Sequence, residues 1–405
     1  VDNTVTARQA AELLGISLPT LYSYVSRGLL QSHQYQGQRA KRYLKEEVLR
    51  LLARTSDNKR AGGAAESAID WGVPVLESRI TQVANGKLYY RGQHVAALAK
   101  THSLEQTALI LWSGAPGLDL PTDCLLALKS IWPERSGSSA ALPPYDRAIS
   151  ILPLLASTVE QLGNLHVHQK AMLWMHLMVA ALLGTEPDYL PFHQKLAQAW
   201  QLNAEQADLL RAALVVSADH ELNVSTFTVR CVASAGAHMG MVLVAGLAAL
   251  SGPKHGGESL RVGQMLREAL ASPQEDITSS LSTRLNNHDA SHHFSPRLPG
   301  FGHPLYPEGD PRGGILMAML DRKKHAALFA VAEVAEDLTG QKLNIDYGLV
   351  ALEIACQLPP GAAQILFALG RTAGWIAHAM EQVETGQLIR PRARYIGKFP
   401  DTGEM

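Results

Sequence analysis

The sequence predicts a mainly α-helical protein in two parts, a short basic module followed by a long helical body. Three observations carry that expectation. Apolar residues recur at helical spacing in one segment after another, whereas the two-residue alternation of a strand is confined to one stretch. Charge is divided unevenly: residues 1–63 hold ten Lys or Arg against five Asp or Glu, a net of +5, and the remainder balances at −6. Finally, 405 residues with 46% hydrophobic content suffice for two or three domains with a sizeable core, which excludes global disorder.

At the front, Thr6 and Gln9 form a Thr-x-x-Gln capping box, and Ala7, Ala10, Ala11 and Leu14 supply one helical stripe before Gly15. Ser17 is a second N-cap and Pro19 suits a first turn. Leu18, Leu21, Tyr22 and Val25 continue the pattern to Gly28. Two short helices across a tight turn make a helix-turn-helix. A hairpin about Gln36-Gly37 is expected over residues 29–44, with Arg39, Lys41 and Arg42 on its return arm, then a third helix from Lys45 to Arg54. Residues 1–55, through TARQAAELLGISLPTLYSYVSRGLL, resemble the winged helix-turn-helix of the MerR type. The resemblance implies DNA as partner: Thr20, Ser23, Tyr24 and Arg27 would face a major groove, and Arg39, Lys41 and Arg42 would meet phosphates. A three-helix module used only for packing is the other reading. Residues 56–70, with Gly62, Gly63 and several alanines, read as a linker.

In the body, Arg79 to Gly92 alternates on both sides of Asn85-Gly86, a hairpin signal. Beyond it, Leu104–Trp112, Ala171–Leu183, Ala204–Val216, Val232–Leu250, Ala326–Leu338 and Gly361–Val383 read as helices, separated by breaker clusters such as Ser136–Pro144. The longest apolar run, near Ala171–Leu183, is interrupted by His176 and falls short of the roughly 20 residues a membrane helix needs. There is no repeat, no Walker-type loop and no strand followed by GxGxxG, so nothing supports nucleotide hydrolysis or dinucleotide binding. Cys124, Cys231 and Cys356 are scattered, without CxxC spacing, which suits a reducing compartment; with no leader-like segment, a cytoplasmic protein is expected.

Four polar clusters interrupt these helices: Ser217–Phe227, Gly252–Gly257, Leu298–Arg312 and Asn344–Tyr347. In the third, Gly300 and Gly302 free the backbone around Phe301, four prolines remove donors, and His303 and Arg312 suit a polar, anionic ligand. Such a run is expected to be a shaped loop throughout. Four clusters at breaks between helices suggest one site. From about Val75 onward the chain resembles the citrate synthase family, through YRG at Tyr90, ADHELNVSTFTVR at Ala218, GPKHGG at Gly252, GFGH and DPR within 298–312, NIDY at Asn344, GRTAGWIAH at Gly370 and IRPRARYIG at Ile389. The resemblance implies, for residues 71–405, a citrate synthase-like helical fold of a large domain and a small domain at roughly 256–366 that closes over the substrates. It also implies a homodimer.

The family joins the α-carbon of an acyl-CoA to the ketone of a 2-oxo acid such as oxaloacetate and hydrolyses the thioester. That chemistry needs a positioned base and a donor aimed at the developing enolate oxygen. By motif match Asp346 is the base, His255 the donor, kept neutral by a helix start, and His303 polarises the ketone. Arg312, Arg371 and Arg390, with His220, would hold the carboxylates, Arg390 across a subunit interface. Arg297, Leu298, Gly300 and Gly302 would meet CoA, which is a substrate; no other cofactor and no metal is implied. Two departures stand out. Ser217 replaces a histidine common in the family, and Pro304 and Pro307 stand where many bacterial members carry basic residues. Arg297 and Lys254 are then the candidate cations for the CoA phosphates. His288, His292 and His293 read as a solvated loop despite their HxxxH spacing. An acetyl- or propionyl-CoA-using synthase is thus expected, the alternative being a DNA-binding regulator whose body senses a dicarboxylate or acyl-CoA.

Overall fold

A computed structural model of the chain describes residues 4–14, 42–44, 76–113, 120–132, 142–162, 165–271, 276–286 and 298–393, with Leu21, Val25, Val48, Leu118 and Gly397 as single positions. The chain divides into two compact units, Val1–Glu77 and Ser78–Met405. In the first, strand β1 (Thr4–Thr6) leads into helix α1 (Ala7–Leu14), and β1 pairs antiparallel with β2 (Arg42–Leu44), Val5 opposite Tyr43. The capping box forms: Gln9 N donates to Thr6 Oγ1 at 3.3 Å and Thr6 N to Gln9 Oε1 at 3.0 Å. Val5, Ala10, Ala11, Leu21, Tyr43 and Val48 make a small core. The return arm thus ends in a strand that pairs ahead of the first helix. The remainder of the expected recognition helix and wing lies outside the described residues, as do Thr20, Ser23, Tyr24, Arg27, Arg39, Lys41 and the 56–70 linker.

The second unit opens with a three-stranded antiparallel sheet, β3 (Thr81–Ala84), β4 (Lys87–Tyr90) and β5 (Gln93–His94). Asn85 and Gly86 take φ of 52° and 69°, the paired left-handed turn anticipated from their sequence. Helices follow: α2 (Val95–Thr101), α3 (Leu104–Leu111), α4 (Thr122–Ile131), α5 (Pro144–Gln161), α6 (Val167–Leu183), α7 (Phe192–Ala199) and α8 (Ala204–Val216). The apolar segment expected as one helix over Val232–Leu250 is two, α9 (Val224–Ser234) and α10 (Met239–Leu250). Gly236, at φ 79°, breaks the run, and the His238 side chain caps the second helix by accepting from Met241 N. Polar Ser225 and Thr226, read as part of a loop cluster, lie in the first turn of α9, where Asn223 caps them.

The chain continues through α11 (Glu258–Ala271), α12 (Ile277–Asn286), α13 (Pro311–Met319), α14 (Ala326–Thr339) and α15 (Ile345–Ala355), which pack on one another, and ends in α16 (Ala362–Thr385). Leu298–Arg312 is therefore not loop throughout: Pro311 is the first residue of α13, its missing N–H tolerated there, and Asp310 is the cap. Helix α16 is the axis. Leu366, Leu369, Trp375 and Ile376 are buried along it, and it packs on α3, α6, α8, α9, α10 and α15. Its close approach to the end of α8 requires Gly374, where a Cβ would fall 2.5 Å from the Ala218 carbonyl oxygen. That approach places Arg371 beside Ser217–His220.

Candidate active site

The end of α8 is fixed from three sides. The Tyr90 hydroxyl donates toward the carbonyls of Val215 at 3.1 Å and Asp219 at 3.2 Å, and Asp219 N donates back to it. Asp219 Oδ2 accepts from Thr81 Oγ1 and meets His378 Nε2 at 3.3 Å. Burial would raise this carboxyl, but His378, Arg371 and Thr81 hold it below its ordinary range. The turn then presents His220 to the interior.

His220 Nε2 lies 2.9 Å from the Tyr306 hydroxyl, and its ring meets that of His303 edge-on at 5.0 Å. Burial, then Arg312, His303 and Arg371, drives the His220 pKa well below its usual value, so the imidazole is neutral. His303 is half-buried, at the end of a loop held from both sides. Asn344 N donates to Gly300 O and Gly302 N to Lys342 O, each at 2.8 Å, and Phe301 bridges Leu343. Positive φ at Gly300 (85°) and Gly302 (74°) permits this double contact. The Leu298 side chain is buried in the core, the Gly300 N–H donates to Glu258, and Gly302 is half-buried.

The two buried arginines differ. Arg312 Nε and Nη2 donate to the two oxygens of Asp310 at 2.9 and 2.7 Å, and Asp310 Oδ2 also accepts from Ile345 N. The fork read as suited to a ligand carboxylate is thus engaged on one edge by Asp310. Arg371 Nε donates to Ser217 O at 3.1 Å and its guanidinium lies 4.8 Å over the Phe367 ring, while Nη2 is buried with no acceptor among the described residues. Burial, opposed by Asp219 and aided by Arg312, lowers its pKa to about 10.

His255 Nε2 lies 2.9 Å from Ser225 Oγ, which also receives the Trp375 indole N–H at 3.2 Å and contacts Asn223 Oδ1 at 2.8 Å. Burial first, then Arg371, brings its pKa to about 4, so it is neutral for a reason other than the helix start expected: α11 begins three residues later. Asp346 sits in the first turn of α15 under the Asn344 cap and accepts from Ser259 Oγ at 2.6 Å. Burial raises its pKa to about 6, Glu258 and Asp310 adding to the rise, Ser259 and Arg312 opposing it. Electrostatic reach joins the parts: Arg371 is felt by His220, His255 and Asp346, and Arg312 by His220 and Asp346.

Arg390 is not gathered into this cluster; it is exposed beyond α16, next to Ile389, whose N–H donates to Ser234 Oγ. Arg42 is half-buried on β2, and Arg297, His288, His292 and His293 lie outside the described residues. Sequence reasoning missed Ser225, Ser259, Tyr306 and Asp310. The first two stand at helix starts beside a named histidine, and Asp310 and Tyr306 stand within the loop already singled out. Among the described residues no group of three or more His, Cys, Asp or Glu is placed to hold a metal ion, and no helix is long and apolar enough to cross a membrane.

The chain resembles known proteins in sequence and in fold. Residues 4–56 match a family model described as "Helix-turn-helix domain", and residues 68–392 match "Citrate synthase, C-terminal domain". Citrate synthase of Haloferax volcanii is 29% identical over 366 residues, covering 81% of this chain and 94% of its own. Citrate synthase 2 of Bacillus subtilis is 27% identical over 364 residues, covering 80% and 94%. The crystal structure of Thermotoga maritima citrate synthase superposes with a TM-score of 0.62 at 26% identity, over 82% of this chain and 96% of that one. The Thermoplasma acidophilum enzyme, solved as a ternary complex with carboxymethyl coenzyme A and oxaloacetate, shares the fold at 22% identity and a TM-score of 0.63, over 82% and 96%. With a family model covering most of its length, the chain belongs to the citrate synthase family of acyltransferases.

Proposed function

We propose that this protein condenses a short acyl-CoA, acetyl- or propionyl-CoA, with oxaloacetate and hydrolyses the thioester to citrate or 2-methylcitrate and CoA. One observation carries the reading: the Arg371 Nη2, buried without an acceptor among the described residues and beside two neutral imidazoles, is a donor suited to an anion. An oxaloacetate carboxylate supplies it, with Arg312, His220 and, from a partner subunit, Arg390 completing the cradle. Asp346 takes a proton from the acyl α-carbon; a carboxyl whose pKa is near 6 is a stronger base than an ordinary one and is still ionised at neutral pH. Neutral His255 donates to the thioester oxygen as the enolate forms, and its Ser225 contact fixes the ring. His303 donates to the ketone oxygen as the carbon–carbon bond forms. Arg297, Gly302 and Lys254 are assigned to CoA. The test is release of free thiol by the purified full chain with oxaloacetate and a panel of short acyl-CoAs. No release with any of them refutes the reading.

We propose further that residues 1–55 form a winged helix-turn-helix of the MerR type that binds DNA, in a cytoplasmic homodimer. The match to a helix-turn-helix model and the +5 balance of residues 1–63 support it. Affinity for a pseudo-palindromic duplex should fall steeply with salt and vanish on deletion of residues 1–60; a deletion that leaves affinity unchanged removes this part.

A further inference from the structure

The first turn of α11 carries two buried polar side chains, Glu258 and Ser259, that the scheme above does not use. They follow His255 by three and four residues, so one segment presents the enolate donor and also reaches the base. Ser259 Oγ donates to Asp346 Oδ1 at 2.6 Å. Glu258 accepts from Gly300 N at 3.3 Å through Oε1 and from Arg261 Nη1 at 3.0 Å through Oε2. Its carboxylate is thereby pinned between the glycine loop and a partly exposed arginine.

We propose that Glu258 and Ser259 are positioning residues for the Asp346 base: Ser259 holds Oδ1, leaving Oδ2 to meet the substrate, while Glu258 maintains a second negative charge beside the carboxylate. In the step they serve, the α-C–H bond breaks, its electron pair passes into the enolate, and the proton goes to Asp346 Oδ2. The proposal rests on the assignment of Asp346 as base. The two residues act in opposite senses. A hydrogen bond donated to an ionised carboxylate stabilises it, whereas a like charge nearby opposes ionisation. Both influences bear on Asp346, alongside burial, Asp310 at the cap of α13, Arg312 within it, Arg371 of α16 and Tyr145 of α5. A merely structural pair would have no reason to act on the pH profile with opposite signs.

The experiment measures kcat against pH for the full chain, with oxaloacetate and whichever short acyl-CoA the wild type turns over. Ser259→Ala should move the acidic limb upward by roughly one pH unit, and Glu258→Gln should move it downward by a similar amount. Ser259→Thr, which keeps the hydroxyl, should restore the wild-type limb, and KM for oxaloacetate should be unchanged in all three. Where Glu258→Gln fails to fold, Arg261→Ala serves instead: it strips the counter-charge from Glu258 and should move the limb upward. Limbs that coincide with the wild type, or that move the same way for Ser259→Ala and Glu258→Gln, overturn the proposal. Wild-type turnover in Asp346→Asn would instead overturn the base assignment, so the two failures are distinguishable.

Discussion

Replacing Arg371 by methionine separates a ligand-binding guanidinium from a structural one. The substitution deletes the hydrogen bond from Nε to Ser217 O, about 1.5–3 kcal/mol for a charged donor, and the stacking on Phe367, about 0.5–2 kcal/mol. It also removes a buried charge whose Nη2 has no acceptor, a desolvation cost of several kcal/mol per ion. These contributions oppose each other at similar size, so the unliganded protein should change stability by no more than about 1 kcal/mol, in either direction. Binding has no such compensation. Losing one side of a desolvated arginine–carboxylate pair costs about 2–5 kcal/mol, which raises KM for oxaloacetate at least about 30-fold. Denaturant unfolding with and without oxaloacetate, beside thiol-release kinetics, reads both quantities. Wild-type stability should rise with oxaloacetate by mass action and that of the variant should not. A loss of roughly 3–5 kcal/mol with KM unchanged would make Arg371 the structural partner of Asp219 and refute the argument.

Asp346→Asn should lower thiol release by about 10²- to 10⁴-fold while oxaloacetate binding, read by calorimetry, persists. In the wild type, kcat should fall as pH drops through about 6, because the working form of Asp346 is the ionised one; His255, at about 4, should add no inflection near neutrality. Tyr306→Phe removes the hydroxyl facing His220 Nε2 and should raise KM for oxaloacetate several-fold, with roughly 1 kcal/mol less stability. Gly374→Ala forces a methyl against the Ala218 carbonyl and should cost about 1–3 kcal/mol in unfolding free energy, with turnover lost as Arg371 is displaced from Ser217.

The helices of the body were legible wherever an apolar stripe ran without interruption: Ala204–Val216 has the bounds its periodicity indicates. Reading failed where a hydrophobic run hid a chain reversal. Val232–Leu250 is apolar apart from Ser234 and His238, and only Gly236 and the capping His238 mark the break, signals that a stripe of that strength outweighs. The shorter helices α2, α4, α7 and α12 and the proline-containing α5 escaped for the opposite reason. In the first four the periodic stretches are brief, and tertiary packing rather than propensity stabilises them; α5 is long and periodic, but Pro153 inside it reads as a breaker.

Residue type and position pointed to most of the polar side chains that the fold brings together, His220, His255, His303, Arg312, Asp346 and Arg371, but not to which of them are already neutralised, because that depends on partners chosen by folding. Arg312 and Arg371 look equivalent in the chain, each an arginine near a small-residue run. In the fold, Asp310 caps α13, reaches back to Arg312 and also accepts from Ile345 N at the start of α15, so one carboxylate serves two helix starts and a guanidinium. Among the described residues Arg371 has a carbonyl, an aromatic face, and the carboxylates of Asp219 and Asp346 felt at a distance. On the proposed scheme an incoming dianion gains most at Arg371, whose Nη2 has no acceptor to displace among the described residues, whereas Arg312 contributes its field to His220 and Asp346 with its geometry already set. The division also bears on Asp346, whose pKa burial raises to about 6 although Arg312 opposes the rise: Arg312 is itself compensated by Asp310, and on the proposed scheme the charge of Arg371 is met by the substrate.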